Sequence, residues 1–192
     1  MNEYLIFRTD RIGDLLITCP LIATIKKHLT NSKITLITSK NNHNYAKSFG
    51  FIDDIVMFPQ DNLLEKFKFI ISLSKKKYNY ILILDGKDRS IISSIFISSQ
   101  KKVAIMSKKR INFFWKLFNI KFIEDDESTN LIKIYQNSLK CCNINTNISN
   151  YDYLKHKIDN NFSGDFNIKK YIQIHLDEKW IKDLYIEKYK KH

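Results

Sequence analysis

Cysteine is nearly absent from this 192-residue chain, which holds Cys19 and the adjacent pair Cys141 and Cys142. Their spacing builds neither a disulfide framework nor a zinc site, so they read as small buried apolar residues in a reducing compartment. Proline and glycine are scarce too, at two and four residues, and neither an internal repeat nor a low-complexity tract is visible. No apolar run approaches the ~18 residues of a membrane span. The N-terminus meets Glu3 and then Arg8, Thr9 and Asp10 too soon for a signal-peptide core, so a cytoplasmic location is the default expectation. Arginine is the most telling shortage. Lys and Arg together number 32 in a chain of net charge +12, yet only Arg8, Arg11, Arg89 and Arg110 are arginine. Surfaces that read bases or clamp phosphates favour the arginine fork. Lysine in excess, beside many Asn and Ile, also follows from A/T-rich codons. A nucleic-acid role therefore finds no motif support, while a lysine-rich surface would be drawn to an anionic membrane face.

What is present fits a soluble globular domain: 44% hydrophobic and 27% charged residues, in a length that buries one core of ordinary size. Apolar runs at Tyr4–Phe7, Ile34–Ile37, Ile55–Phe58, Ile81–Leu84 and Val103–Met106 alternate with helical segments, which predicts an α/β fold with a parallel sheet. The helical spacing puts Leu63, Phe67, Ile70 and Ile71 together within 61–77. It puts Ile91, Ile92, Ile95 and Phe96 together within 88–98, with Asp88 as cap. A third stripe, Leu131, Ile134, Tyr135, Leu139 and Cys142, runs through 127–142. Residues 112–118 predict a short aromatic helix. Gly164 lies in the most polar stretch and marks a linker, so the expected organisation is one domain over 1–163 and a tail over 164–192.

The chemistry concentrates where the first strand gives way to the first helix. Arg11, Ile12, Gly13 and Asp14 follow Tyr4–Phe7 and open a helical stretch reaching about Leu29. A helix N-terminus offers unpaired N–H groups and partial positive charge. A phosphate cradle would add glycines and a lysine there, and a dinucleotide site G-x-G-x-x-G; this chain has neither. A carboxylate right after the glycine suits proton transfer from a bound hydroxyl, or simple first-turn capping. Thr18, Cys19 and Pro20 predict a helix break and restart, with Thr18 as cap. Asp85, followed by Gly86, ends the fourth strand on the edge where open α/β sheets bind ligands.

The segment from Phe7 to Leu21, containing Gly13-Asp14 and Pro20, resembles the opening of the family-nine glycosyltransferases, the ADP-heptose:lipopolysaccharide heptosyltransferase group. The resemblance continues at Lys33–Thr38, Phe51–Val56, Tyr78–Gly86, and at Tyr171–His175 with Glu178, Lys179 and Trp180. It implies the Rossmann-like N-terminal half of a GT-B fold, with only the first strand and helix of a truncated second domain. It implies an inverting glycosyltransferase that uses a nucleotide-sugar donor such as ADP-heptose and an envelope glycan or lipid-linked acceptor, such as lipopolysaccharide core. Asp14 would be the catalytic base. Arg8, Thr9, Asp10, Arg11, Gly13 and Asp85 would contact substrate, and Lys179 the donor. No cofactor, metal or nucleic acid is implied, and a peripheral place on the inner face of the cytoplasmic membrane is. The family's late donor-binding stretch has no counterpart here, and Ser128 and Thr129 stand where a His is common. Two other readings stand beside this one: a non-catalytic remnant or acceptor-binding module, and a basic nucleic-acid-binding protein.

Overall fold

The computed structural model describes residues 1–29, 31–60, 62–111, 115, 117–125 and 129–148, all within a compact unit spanning Met1–His156. The linker at Gly164, the run Tyr171–Ile174, Lys179 and the helical tail lie outside the described residues, as does most of the aromatic segment 112–118. Six strands form one sheet: β1 (Asn2–Arg8), β2 (Ser32–Thr38), β3 (Asp54–Met57), β4 (Tyr78–Ile83), β5 (Ser99–Met106) and β6 (Ile120–Glu124). Their order is β3-β2-β1-β4-β5-β6, and every pairing is parallel. Helices α1 (Ile12–His28), α2 (Lys40–Ala46), α3 (Leu63–Ser74) and α4 (Asp88–Ile95) fill the first four crossovers, and α5 (Leu131–Cys141) follows β6. This is a Rossmann-like α/β sheet with flanking helices, as the alternating runs predict. The strand β6 is additional to them.

A central parallel strand is covered on both faces, so it needs apolar residues at every position. In β1, Tyr4 and Ile6 enter a core with α1, α2 and α5, while Leu5 and Phe7 enter a second core with α3 and α4. Tyr4 sits level with Ile34 on one side and Tyr80 on the other, and Phe7 with Ile37 and Ile83. That period-two alternation fixes the register.

Several local expectations are corrected. The helix α1 runs unbroken through Pro20. A proline there removes one helical hydrogen bond, at ~3 kcal/mol or more, but Leu21, Ile22 and Ile25 are wholly buried around it and their burial outweighs the loss. Thr18 is accordingly no cap; its hydroxyl donates back to the Asp14 carbonyl at 2.8 Å. In α3 the inward residues are Phe69 and Leu73, with Ile70 packed beside them as expected, and in α4 they are Ile91 and Ile95, also as expected, with Ser90, Ser93 and Ser94. Leu63, Phe67, Ile71, Ile92 and Phe96 are exposed instead. The helix expected from 127 starts at Leu131, where the Asn130 side chain accepts the Ile132 N–H at 2.9 Å. Asp88 is the first helical residue of α4 rather than its cap, which is Lys87.

Candidate active site

The order 3-2-1-4-5-6 reverses direction between β1 and β4, and the crevice beyond the carboxyl ends of those two strands is where such sheets bind ligands. The loops leaving β1 and β4 deliver Arg8, Asp10, Asp14 and Asp85 to one cleft there, of about 450 Å³, joined by Arg110 and Asp125 from the far side.

Arg8, the last residue of β1, is 5% exposed and organises the cleft floor. Its Nε donates to the Asp14 carbonyl at 3.0 Å, Nη1 donates to the Leu84 carbonyl, and Nη2 donates to the Tyr135 hydroxyl at 3.3 Å. It also pairs with the carboxylates of Asp10 at 3.2 Å and Asp14 at 3.7 Å. A buried guanidinium needs this full set of partners, because an uncompensated charge in the interior is costly. The Tyr135 hydroxyl, from α5, also lies 3.1 Å from Thr18 Oγ1. Arg8, Thr18 and Tyr135 thus form a closed buried network around the first turn of α1.

Asp14 occupies the third position of α1, and its Oδ2 accepts the Arg11 N–H at 3.4 Å. Its side chain remains 40% exposed, which leaves the carboxylate open to the cleft. Gly13 lies inside the helix rather than at a turn, and a Cβ built there meets nothing within 4 Å. The helix terminus beside Asp14 is therefore sterically open. Arg11, beside it, is exposed, and its guanidinium has no ion pair among the described residues.

Asp10 pairs with Arg8. Burial pushes its carboxyl up to about 6; Arg8 opposes the rise, while the neighbouring charges of Asp14 and Asp85 add to it. Its Oδ1 is buried without a partner among the described residues. Asp85 is tied inward: Oδ2 accepts from the Thr9 hydroxyl at 2.6 Å and the Ser90 hydroxyl at 2.7 Å, and Oδ1 from the Lys87 N–H at 3.2 Å. Thr9 is buried, and its carbonyl accepts from Lys87 Nζ at 2.8 Å and Arg89 Nη2 at 3.1 Å. Arg89 in turn lies over the Phe58 ring. The α2 end supports the same loop, with Asn42 donating to the Arg8 carbonyl at 2.9 Å and Ser39 to the Asp10 carbonyl at 3.1 Å.

Gly86 is the one glycine the loop requires. Its φ is +57°, and a Cβ there would stand 2.9 Å from the Ile105 carbonyl oxygen. That turn brings the Gly86 carbonyl to Arg110, which donates to it at 2.7 Å and pairs with Asp88 at 2.7 Å.

Of the residues expected to form a site, Arg8, Asp10, Asp14 and Asp85 meet at the cleft; Thr9 lies behind Asp85, and Lys179 is outside the described residues. Arg110 and Tyr135 carry no local signal of a site role, since their partners come from distant segments; Thr18 and Ser90 bond Asp14 and Asp85 close in sequence, but their residue types alone do not single them out. Among the described residues no three His, Cys, Asp or Glu side chains gather as a metal site. The arrangement offers one open carboxylate beside a fixed guanidinium, in a partly enclosed cleft suited to binding a hydroxyl-bearing molecule.

No protein-family model and no curated protein matches the sequence, whereas solved structures match the fold. The Escherichia coli heptosyltransferase WaaC, solved with ADP-2-deoxy-2-fluoro heptose, superposes with a TM-score of 0.63 at 14% identity, over 80% of this chain and 53% of that one. A family-nine glycosyl transferase from Veillonella parvula gives 0.63 at 18% identity, over 78% and 43%. The E. coli ADP-heptose lipopolysaccharide heptosyltransferase II gives 0.56 at 13% identity, over 93% and 48%. The fold is family-nine-glycosyltransferase-like. The chain spans about half the length of the heptosyltransferases it matches.

Proposed function

We propose that this chain carries the acceptor-side domain of an inverting glycosyltransferase of the heptosyltransferase kind, with Asp14 as general base. The acceptor hydroxyl would attack the anomeric carbon of a nucleotide sugar, forming the new C–O bond as the bond to the nucleotide diphosphate breaks. Its proton would pass to Asp14. The observation that carries this reading is the Asp14 carboxylate itself: 40% exposed, in the first turn of α1, on a cleft at the sheet's switch point. The guanidinium of Arg8 holds its backbone and faces its carboxylate. WaaC has been solved with ADP and with an ADP-heptose analogue, which favours a nucleotide-sugar donor. An envelope glycan, lipid-linked and presented at an anionic membrane face, suits the lysine excess as acceptor.

In this reading Arg8 and Asp85 set the shape of the site more than they touch substrate, because their polar atoms already have protein partners. Asp10, Arg11 and the open helix turn at Gly13 are the surfaces left for acceptor hydroxyls. The donor diphosphate would depend on residues beyond those described, with Lys179 one candidate. Transfer from ADP-heptose to a lipopolysaccharide-core acceptor tests the proposal, with a second α/β domain supplied if the chain alone does not turn over. Asp14→Asn is nearly isosteric and should reduce turnover by about 10²–10⁴-fold while leaving ADP affinity unchanged. Undiminished turnover in that variant would leave Asp14 a capping residue.

A further inference from the structure

The helix α3 has two apolar faces. Phe69 and Leu73 point into the core, while Leu63, Leu64, Phe67 and Ile71 are exposed by 80, 70, 64 and 42%. At about 100° per residue, Leu63, Phe67 and Ile71 form one row with Leu64 beside it, on the side away from Phe69 and Leu73. Single exposed apolar side chains need no explanation. Four large ones in a contiguous row do, since such patches mark contact surfaces.

The border of the row is cationic. Lys66 and Lys68 lie within the helix, Lys75, Lys76 and Lys77 follow its end, and Glu65 is the only acid in that stretch. Lys76 shares Asp54 with Lys33, at 3.6 and 3.0 Å. Lys66, Lys68, Lys75 and Lys77 form no ion pair among the described residues. An apolar stripe rimmed by lysines matches the boundary of an anionic bilayer, where apolar side chains enter the acyl margin and ammonium groups meet lipid phosphates. A second copy of the chain fits less well, because a two-fold contact would bring lysines against lysines. A nucleic acid would leave the leucines and isoleucine unpartnered.

We infer that the outward face of α3 docks this protein on an anionic membrane surface, seating Leu63, Leu64, Phe67 and Ile71 among the lipid headgroups with the flanking lysines on their phosphates. The first turn of α3 follows the carboxyl end of β3, so the row begins at the same end of the sheet as the cleft. A lipid-borne acceptor would be presented towards Asp14. That last point rests on the function proposed above; the docking does not, and it is measured without turnover.

The test is co-sedimentation of the full chain with vesicles of phosphatidylcholine, with and without phosphatidylglycerol. The wild type should partition to the anionic vesicles and be released by salt. Leu64→Ser/Phe67→Ser should weaken partitioning about tenfold or more, and Lys66→Gln/Lys68→Gln about tenfold. Both should keep the wild-type thermal midpoint, because the side chains are exposed or half-buried. Ile17→Ser, at an exposed position of α1, should bind as the wild type does. Failure of the wild type to sediment, or equal binding by the α3 variants, overturns the inference. So does a concentration-dependent dimer that the same substitutions abolish in the absence of vesicle binding.

Discussion

The helices on the two faces of the sheet dispose of their apolar residues in different ways. On one face α5 turns Ile134, Tyr135 and Leu139 inward to near-complete burial, and its tyrosine reaches through to Arg8 and Thr18 beneath the cleft. On the other, α3 gives the core Phe69 and Leu73, with Ile70 half-buried beside them, and holds a longer apolar row outward. The α4 helix does the same on a smaller scale, burying serines and exposing Ile92 and Phe96. One layer spends its side chains on packing and on the site; the other keeps a surface. Apolar periodicity alone therefore locates a helix without saying which face meets the core.

The contrast breaks most readily by truncating both layers. Ile134→Ala should cost about 2–5 kcal/mol in denaturant unfolding, as large-to-small changes in a packed core do. Phe67→Ala should stay within about 0.5 kcal/mol, as for an exposed site. Equal losses would mean that the row on α3 is packed and that the two layers are alike.

A smaller effect comes from Asp10, whose carboxyl burial raises to about 6 from the usual aspartate value of 3.8. The folded state then binds that proton more tightly than the unfolded chain. The stability it contributes is complete below about pH 4 and lost as pH rises through about 6, on the order of 3 kcal/mol at most and less where solvent screens the group. Asp10→Asn should flatten the stability profile between those pH values. An unchanged slope would assign it to another group.

A smaller loss than that of Ile134→Ala should come from Tyr135→Phe, which keeps the ring and removes a hydroxyl bonded to Thr18 and Arg8. A loss of about 1 kcal/mol is expected, read as a lower denaturation midpoint. A neutral result would show that the network closes through solvent.

Much of the fold was legible because β1 and β4 carry continuous apolar runs, and β2 one broken only by the buried Thr35, as a doubly covered parallel strand requires. The Gly13-Asp14 step was legible as well, through its place after the first such run. The strand β6 was not: Ile120, Phe122 and Ile123 are interrupted by Lys121 and followed by Glu124, and the strand is five residues long. Nor were the phases of α3 and α4, where apolar residues lie on both faces or serines face inward. The local sequence around Pro20 suggested a break that tertiary burial overrides. Thr18 and Tyr135 stand 117 positions apart, and only the packing of α5 on α1 shows that they belong to one network.

The most direct measurement compares transfer from ADP-heptose to a lipid-borne glycan and to the same glycan freed of lipid, using wild type, Asp14→Asn and Leu64→Ser/Phe67→Ser in the same two-domain protein. Asp14→Asn should lose about 10²–10⁴-fold on both acceptors, whereas the α3 variant should slow only on the lipid-borne one. Full turnover by Asp14→Asn on either acceptor would contradict the role given to the cleft between β1 and β4.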